Sequence, residues 1–555
     1  MHLSEKIGQM VMAARARTDF PDVAKYQVGA LLSGGGSAPT RSNEPAAWVE
    51  MVNQYQGFTK QTRLKIPLLY GIDAVHGHGN VKNATIFPHN IGLGCTRDPD
   101  LVERVAHATA VEVAATGIHW TFAPVLAAAR DERWGRTYEA FGETPELAAQ
   151  LGPAAIRGFQ GKRLGSGPAS VLATAKHFAG DGGTAGGIDR GDTVDDEATF
   201  RRLHVDQYAP AIAARVGSIM VSYSSYQGVK MHAQRHWLTD VLKGEMGFDG
   251  ILLSDWEGIE KMPLAYPEQL ETAVNAGLDM IMAPKKLDDF VRTLESLVPS
   301  RVPEWRIDDA VTRVLSVKCE MGMTSASGRA RPRLDRVGSP EHREIAREAV
   351  RKSLVLLKNE SGVLPLKKSA KVHLAGKSAD DLGIQCGGWT ISWQGASGLQ
   401  IDGTTIRQGF ERVVGAQAVR YSRDGTGAKG AHVGVAVIGE LPYAELKGDR
   451  QDLALDVDDV KAVQNLKAAG LPVVVVLVTG RPLILEPILA AADAILVAWL
   501  PGTEGNGVTD VLFGDHPPTG KLSHSWPRSM EQIPINVGDA NYDPLFPYDF
   551  GLTYE

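Results

Sequence analysis

Short apolar runs recur along the first half of the chain, at residues 28–32, 67–72, 119–124, 171–177, 218–223, 250–255 and 278–282, with helical segments between them. Strands alternating with helices make a parallel sheet. This many of them before residue 320 predicts a (β/α)8 barrel, with an open doubly wound sheet as the alternative. The clearest run is 250–258, Gly-Ile-Leu-Leu-Ser-Asp-Trp-Glu-Gly, in which uncharged residues lead straight into Ser254, Asp255, Trp256 and Glu257. That is the profile of a buried strand ending at a working surface. Taken alone, Asp255 reads as a cap for a following helix. Other runs end in the same way, on Asp73 with His76 and His78, on Lys176-His177 and on Ser222-Tyr223, and Asp131 to Arg136 follows the third run by a few residues. Ligands of parallel sheets bind at the strands' carboxyl ends, and burying carboxylate, cation, imidazole and aromatic groups at one mouth is unfavourable without a function.

Periodicity lapses over 321–340, MGMTSASGRARPRLDRVGSP, which marks a linker between a first domain at 1–320 and a second at 341–555. After a helix over 341–353, Val/Ile-rich runs at 354–357, 372–375, 433–438, 473–478 and 494–499 do not alternate with polar residues. They predict a second α/β layer domain, an α/β sandwich with a mainly parallel sheet. Two of its loops carry candidate chemistry. Residues 386–393 set Trp389 and Trp393 four apart among Gly and Ser; such pairs are ordinarily core, but these neighbours fit an exposed platform that stacks on sugar faces. Residues 439–449, GELPYAELKGD, hold two acids, Glu440 and Glu445, which the sequence does not rank.

Composition then removes several classes of partner. A net charge of −7 over 555 residues, with no Lys/Arg-rich block, excludes a nucleic-acid binder. Cys95, Cys319 and Cys386 are odd in number and far apart, so neither a disulfide framework nor a zinc site is indicated. The longest apolar runs, such as 471–478, fall far short of the roughly 20 residues that cross a membrane. The opening, Met1 to Lys6, looks like the capped start of an amphipathic helix and leaves no room for a signal peptide; the expected location is cytoplasmic, or periplasmic or secreted if a leader has been removed. His76 and His78 form an HxH pair that could hold zinc or manganese from one strand face, but a lysine beside His177 favours hydrogen bonding over a metal. Gly34 to Gly36 and Gly182-Gly183 read as turn glycines, since no phosphate-loop pattern follows a strand correctly.

With these residues in view, the chain closely resembles glycoside hydrolase family 3, in particular its two-domain β-glucosidases and β-glucan exohydrolases. The resemblance runs through EKIGQM, GIDAVHGHGNV, TIFPHNIGLG, DERWGRTYEAFGE, KHFAGDGGT, VSYSSYQG, LLSDWEGI, CGGWTISWQG, GELPYAELKGD, LPGTEG and FPYDFGLTY, in that order. It implies a barrel followed by an α/β sandwich, no cofactor or metal, and a β-glucoside or β-glucan oligosaccharide as substrate. Asp255 matches the family's nucleophile and Glu445 its general acid/base. Asp73, Arg136, Lys176, His177 and Tyr223 match the positions that hold sugar hydroxyls in the first subsite, Trp256 and Trp393 match a clamp on the next sugar, and Trp389 lies close to that clamp. A retaining glycosidase needs two carboxyls about 5 to 5.5 Å apart, one ionised and one protonated, and Lys176, Arg136 and His177 are expected to keep Asp255 anionic. The family's single-domain N-acetylhexosaminidases carry a His/Asp dyad in place of the loop glutamate; here the matching segment has Gly191 and Asp192 but no such histidine, which favours a glucosidase. β-Xylosidase, phosphorylase and silent carbohydrate-binding readings stay open.

Overall fold

The computed structural model describes residues 1–324 and 330–554; positions 325–329 of the expected linker lie outside the described residues. Eight short strands make up the first sheet system: β1 Val11–Ala14, β2 Ala30–Ser33, β3 Leu69–Ile72, β4 Trp120–Thr121, β5 Thr174–Phe178, β6 Ser218–Val221, β7 Ile251–Leu253 and β8 Ile281–Met282. Strands β8-β1-β2-β3-β4 form one parallel arc and β5-β6-β7 another. The arcs meet through isolated parallel bridges, Trp120 to Leu172 between β4 and β5 and Leu253 to Met280 between β7 and β8. This closes the barrel and excludes the open sheet.

Alternation along the strands shows the same closure. Met12, Ala14, Ala30, Leu32, Leu69, Met220, Ile251, Leu253, Met280 and Met282 fill the barrel interior. Their neighbours Val11, Ala13, Leu31, Tyr70, Ile219, Val221, Leu252 and Ile281 pack outward in a separate core shared with the helices. Sequence pattern finds seven of the eight strands. It misses β1, whose four residues begin one residue after the helix Leu3–Gln9 and are too few to show a period of their own.

The second sheet holds β9 Val355–Asn359, β10 Val372–Ala375, β11 Val419–Tyr421, β12 Val433–Gly439, β13 Val473–Val478 and β14 Ala494–Trp499 in the order β9-β14-β13-β12-β10-β11. Only β9 is antiparallel to its neighbour, so the sheet is mainly parallel as expected. The edge strand β11, short and partly exposed, has no run strong enough to announce it.

The two sheet systems are packed together through side chains of both. Helix Pro340–Ser353 gives Ala346 and Ala349 to the barrel's outer core and Val350 to the core of the second sheet. The Tyr138 hydroxyl donates to the Tyr443 carbonyl at 2.6 Å. The fully buried Arg481 donates to the carbonyls of Arg133 at 2.9 Å and Gly448 at 2.5 Å. Together these bonds fix the loop after β12 over the carboxyl ends of the barrel strands.

Candidate active site

A cavity of about 480 Å3 opens at those strand ends. All ten sequence-predicted residues line it: Asp73, Arg136, Lys176, His177, Tyr223, Asp255 and Trp256 from the barrel, Trp389, Trp393 and Glu445 from loops of the second sheet. Leu32, Phe122, Met220 and Met282 belong both to the cavity wall and to the barrel interior, so packed core closes one end.

Asp255 stands two residues past Leu253, the last of β7, and it does not cap the helical turn that follows, Ile259–Lys261, whose N-cap is Gly258. Its Oδ1 accepts the backbone N–H of Trp256 at 2.6 Å, and its own N–H donates to His232 Nε2 at 3.3 Å. That leaves Oδ2, which lies 3.7 Å from His177 Nε2. From there a line of charged groups reaches the second sheet. Arg136 donates to His177 Nε2 at 3.2 Å, is held bidentately by Glu139 at 3.0 and 2.9 Å, and stands 3.6 Å from Glu445. Asp73 and Lys176 sit side by side at 3.8 Å, with the Lys176 ammonium 5.7 Å from the Trp389 ring centroid.

The electrostatics depart from expectation at Asp255. Burial, followed by the charge of Glu445, pushes its carboxyl up to about 7, against the pull of Arg136 and Lys176. The cations therefore do not hold it low, because desolvation outweighs them. His177 adds no charge of its own: burial, then Arg136, Lys176 and Arg190, push it well below the usual imidazole range. With Arg136 donating to Nε2, the imidazole proton sits on Nδ1 and is donated to Asp181 Oδ2 at 2.7 Å. Asp73 is likewise raised by burial, to about 6.

The two loop acids separate cleanly. Glu445 projects into the cavity from left-handed backbone at φ +52° and pairs with Arg190 at 2.5 Å. Glu440 does not line the cavity. Its carboxylate accepts from Tyr443 Oη and Thr479 Oγ1 at 2.9 Å each and from the Gly480 N–H at 3.1 Å, and it pairs with Arg481 and Arg450 at 3.2 Å. Burial alone raises such a group, yet Arg481 and Arg450 hold it below the usual range. Glu440→Ala leaves the Arg481 guanidinium buried without its counter-charge, so we expect a loss of about 3–5 kcal/mol in urea unfolding; an unchanged midpoint refutes a structural role.

Arg190 is among the cavity-lining residues that the sequence pattern does not single out, as are Arg15, Arg17 and Lys261. It lies in Gly-Ile-Asp-Arg-Gly-Asp, outside any strand, and its only signal was a charged cluster closing a Gly-rich loop. Two glycines also do more than turn the chain. A Cβ on Gly35 would fall 2.8 Å from Trp393 Cα, and one on Gly135 only 2.1 Å from the Glu445 carbonyl oxygen. The HxH pair is not on a strand and its members diverge. His76 stacks on His89 at 3.5 Å and bonds the Phe87 carbonyl and Thr390, whereas His78 bonds Thr116. His89 contacts the Gly388 carbonyl, so these imidazoles support the tryptophan loop.

Comparison with known proteins fits this geometry. The sequence profile described as "Glycosyl hydrolase family 3 N terminal domain" matches residues 2–317, and the "Glycosyl hydrolase family 3 C-terminal domain" matches 354–554. The chain belongs to glycosyl hydrolase family 3. Among family 3 relatives, a lysosomal beta glucosidase of Dictyostelium discoideum is 34% identical over 100% of this chain and 75% of its own length. A beta-xylosidase of Formosa agariphila is 31% identical over 89% of this chain and 75% of its own. The crystal structure of an exo-1,3/1,4-beta-glucanase from a Pseudoalteromonas species superposes with a TM-score of 0.96 at 42% identity, covering 100% of this chain and 73% of that one. Among the described residues of this family 3 chain, no helix is long and apolar enough to cross a membrane.

Proposed function

We propose that this chain is a retaining, exo-acting β-glucosidase that releases glucose from the non-reducing end of β-glucosides and short β-glucans. The observation that carries the reading is one cavity, closed at one end by barrel core, in which Asp255 from the barrel and Glu445 from the second sheet are electrostatically coupled. Asp255 attacks the anomeric carbon through Oδ2 while Glu445 protonates the departing oxygen; Glu445 then deprotonates the water that cleaves the glycosyl-enzyme. Asp73, Lys176, His177 and Arg136 hold the sugar hydroxyls, and Trp256 and Trp393 bracket the next sugar. A closed inner end admits a chain terminus but no through-running polymer, which supports exo action. We read residues 1–320 and 341–555 as two domains joined by 321–340, with the cavity requiring both.

Assay of the purified protein on aryl β-glucoside, β-xyloside and N-acetyl-β-glucosaminide tests this, with glucoside expected to lead. Xyloside leading selects the β-xylosidase reading, and rates that depend on added phosphate select a phosphorylase. No turnover on any of them leaves a silent binding protein.

Two further outcomes follow from the geometry. Trp393→Ala removes one stacking face outside the first subsite, so KM for disaccharides rises about 2- to 10-fold while aryl glucosides change less; equal effects on both substrates refute a clamp. The acidic limb of kcat/KM for a dinitrophenyl glucoside falls near pH 7, where Asp255 must lose its proton to attack. Because the Glu445 charge raises Asp255, Glu445→Gln moves that limb to lower pH, and an unmoved or raised limb shows that the two carboxyls are not coupled.

A further inference from the structure

We infer that Arg190 is the positioning residue for Glu445, fixing its Oε2 so that Oε1 is the oxygen that works on the leaving group. The inference rests on the assignment of Glu445 as acid/base in the proposed function. Its basis is the asymmetry of the partners around that carboxyl. Arg190 Nη2 donates to Oε2 at 2.5 Å, whereas the nearest cation to Oε1, Arg136, stands at 3.6 Å and already donates two hydrogen bonds to Glu139. One oxygen is therefore held and the other left for chemistry.

Arg190 is itself held from several directions. Its guanidinium carbon lies 4.1 Å from the centroid of the Tyr223 ring, a cation–π contact with a residue of the same cavity, and the Tyr223 hydroxyl donates to the Trp256 carbonyl. Its backbone takes the left-handed conformation at φ +65°, uncommon for an arginine, and its carbonyl accepts Lys230 Nζ at 3.1 Å. The preceding residue, Asp189, donates its N–H to Asp449 Oδ2 at 2.9 Å and accepts Trp134 Nε1 at 3.1 Å. Asp449 belongs to the same loop as Glu445, and its other oxygen accepts the Gly135 N–H at 2.8 Å. The barrel thus grips the acid loop twice, by the backbone through Asp449 and by the working side chain through Arg190. The pair is sheltered, with 24% of the Arg190 and 9% of the Glu445 side chain exposed, so it is less screened than a surface ion pair.

Losing Arg190 frees the Glu445 side chain to leave its place without touching Asp255. A misplacement of about 1 Å costs on the order of 10²-fold in rate. The defect must depend on the leaving group, because only a basic oxygen needs the proton. We expect Arg190→Ala to lower kcat/KM on a β-glucosyl disaccharide about 30- to 100-fold and on a dinitrophenyl glucoside less than about 5-fold. Azide should partly restore turnover of the activated substrate. Arg190→Lys, which keeps the charge but not the plane that stacks on Tyr223, should fall between wild type and alanine.

Labelling of Asp255 by a 2-deoxy-2-fluoro dinitrophenyl glucoside, at wild-type stoichiometry and within about 5-fold of the wild-type rate, is the readout that a merely structural role would not leave untouched. Equal loss on both substrates, wild-type disaccharide turnover, or failed labelling in both variants overturns the assignment of Arg190. If Glu445→Ala itself shows no dependence on the leaving group, it is the assignment of Glu445, and not of Arg190, that has failed.

Discussion

Asp255→Asn is expected to abolish turnover of glucosides with good and poor leaving groups alike, by on the order of 10⁴-fold or more, because no covalent glycosyl-enzyme can form without the attacking carboxylate. A 2-deoxy-2-fluoro glucoside should label Asp255 in the intact protein, and labelling elsewhere moves the nucleophile. The released sugar should keep its anomeric configuration, and an inverted product refutes double displacement. The same substitution should stabilise the fold. Asp255 is raised from 3.8 to about 7 on folding, so its ionisation opposes folding: the penalty is absent below about pH 3.8, grows as pH rises, and is full above about pH 7. Asparagine carries no such penalty. Asp255→Asn should therefore raise Tm at pH 8 and change it little at pH 4, and the reverse order contradicts the desolvation argument.

The second large effect belongs to Glu445. A general acid matters most when the leaving oxygen is basic, so Glu445→Ala should lose disaccharide hydrolysis by about 10²- to 10⁴-fold and still form the glycosyl-enzyme readily from a dinitrophenyl glucoside. The stalled intermediate then lacks a base to activate water. Azide, which needs no base, should restore turnover and yield a β-glucosyl azide. Glu440→Ala offers the contrast, since it is expected to weaken the fold with no dependence on the leaving group. If Glu440→Ala shows azide rescue and Glu445→Ala does not, the two roles are exchanged.

The barrel was legible where burial and chemistry meet at a strand tip. At Leu252 to Asp255 an apolar run passes abruptly into acid, and such edges mark β3, β5 and β6 as well. It was illegible at β1, because Val11–Ala14 is too short to show a period of its own after Leu3–Gln9. All ten proposed site residues meet in the cavity, since their motifs each end at the same mouth. Glu440 and Glu445 could not be ranked from sequence. What separates them is the company of Arg481 and Arg450 at one and Arg190 at the other, residues up to 255 positions away in the chain. At Asp255 the cations that pull the carboxyl down, Arg136 and Lys176, can be named from sequence, but the desolvation that outweighs them cannot, because the displaced water is not written in the chain. Arg190 itself sits on a loop, where hydrophobic periodicity carries no information.

The two seams of the barrel divide the sugar site as well as the sheet. Asp255 follows β7 beside one seam, Lys176 and His177 ride on β5 beside the other, and Asp73 follows β3 on the opposite arc. Asp255 and the pair Lys176-His177 thus share one arc and Asp73 belongs to the other, so a sugar that reaches all of them bridges the seams. Amide protons at the seams, such as that of Thr121 on the Leu172 carbonyl and that of Ser254 on the Met280 carbonyl, report how firmly the arcs are joined. Their exchange with deuterium should slow when a monosaccharide spans both arcs, and by more than that of amides inside either arc, which the sugar does not bridge.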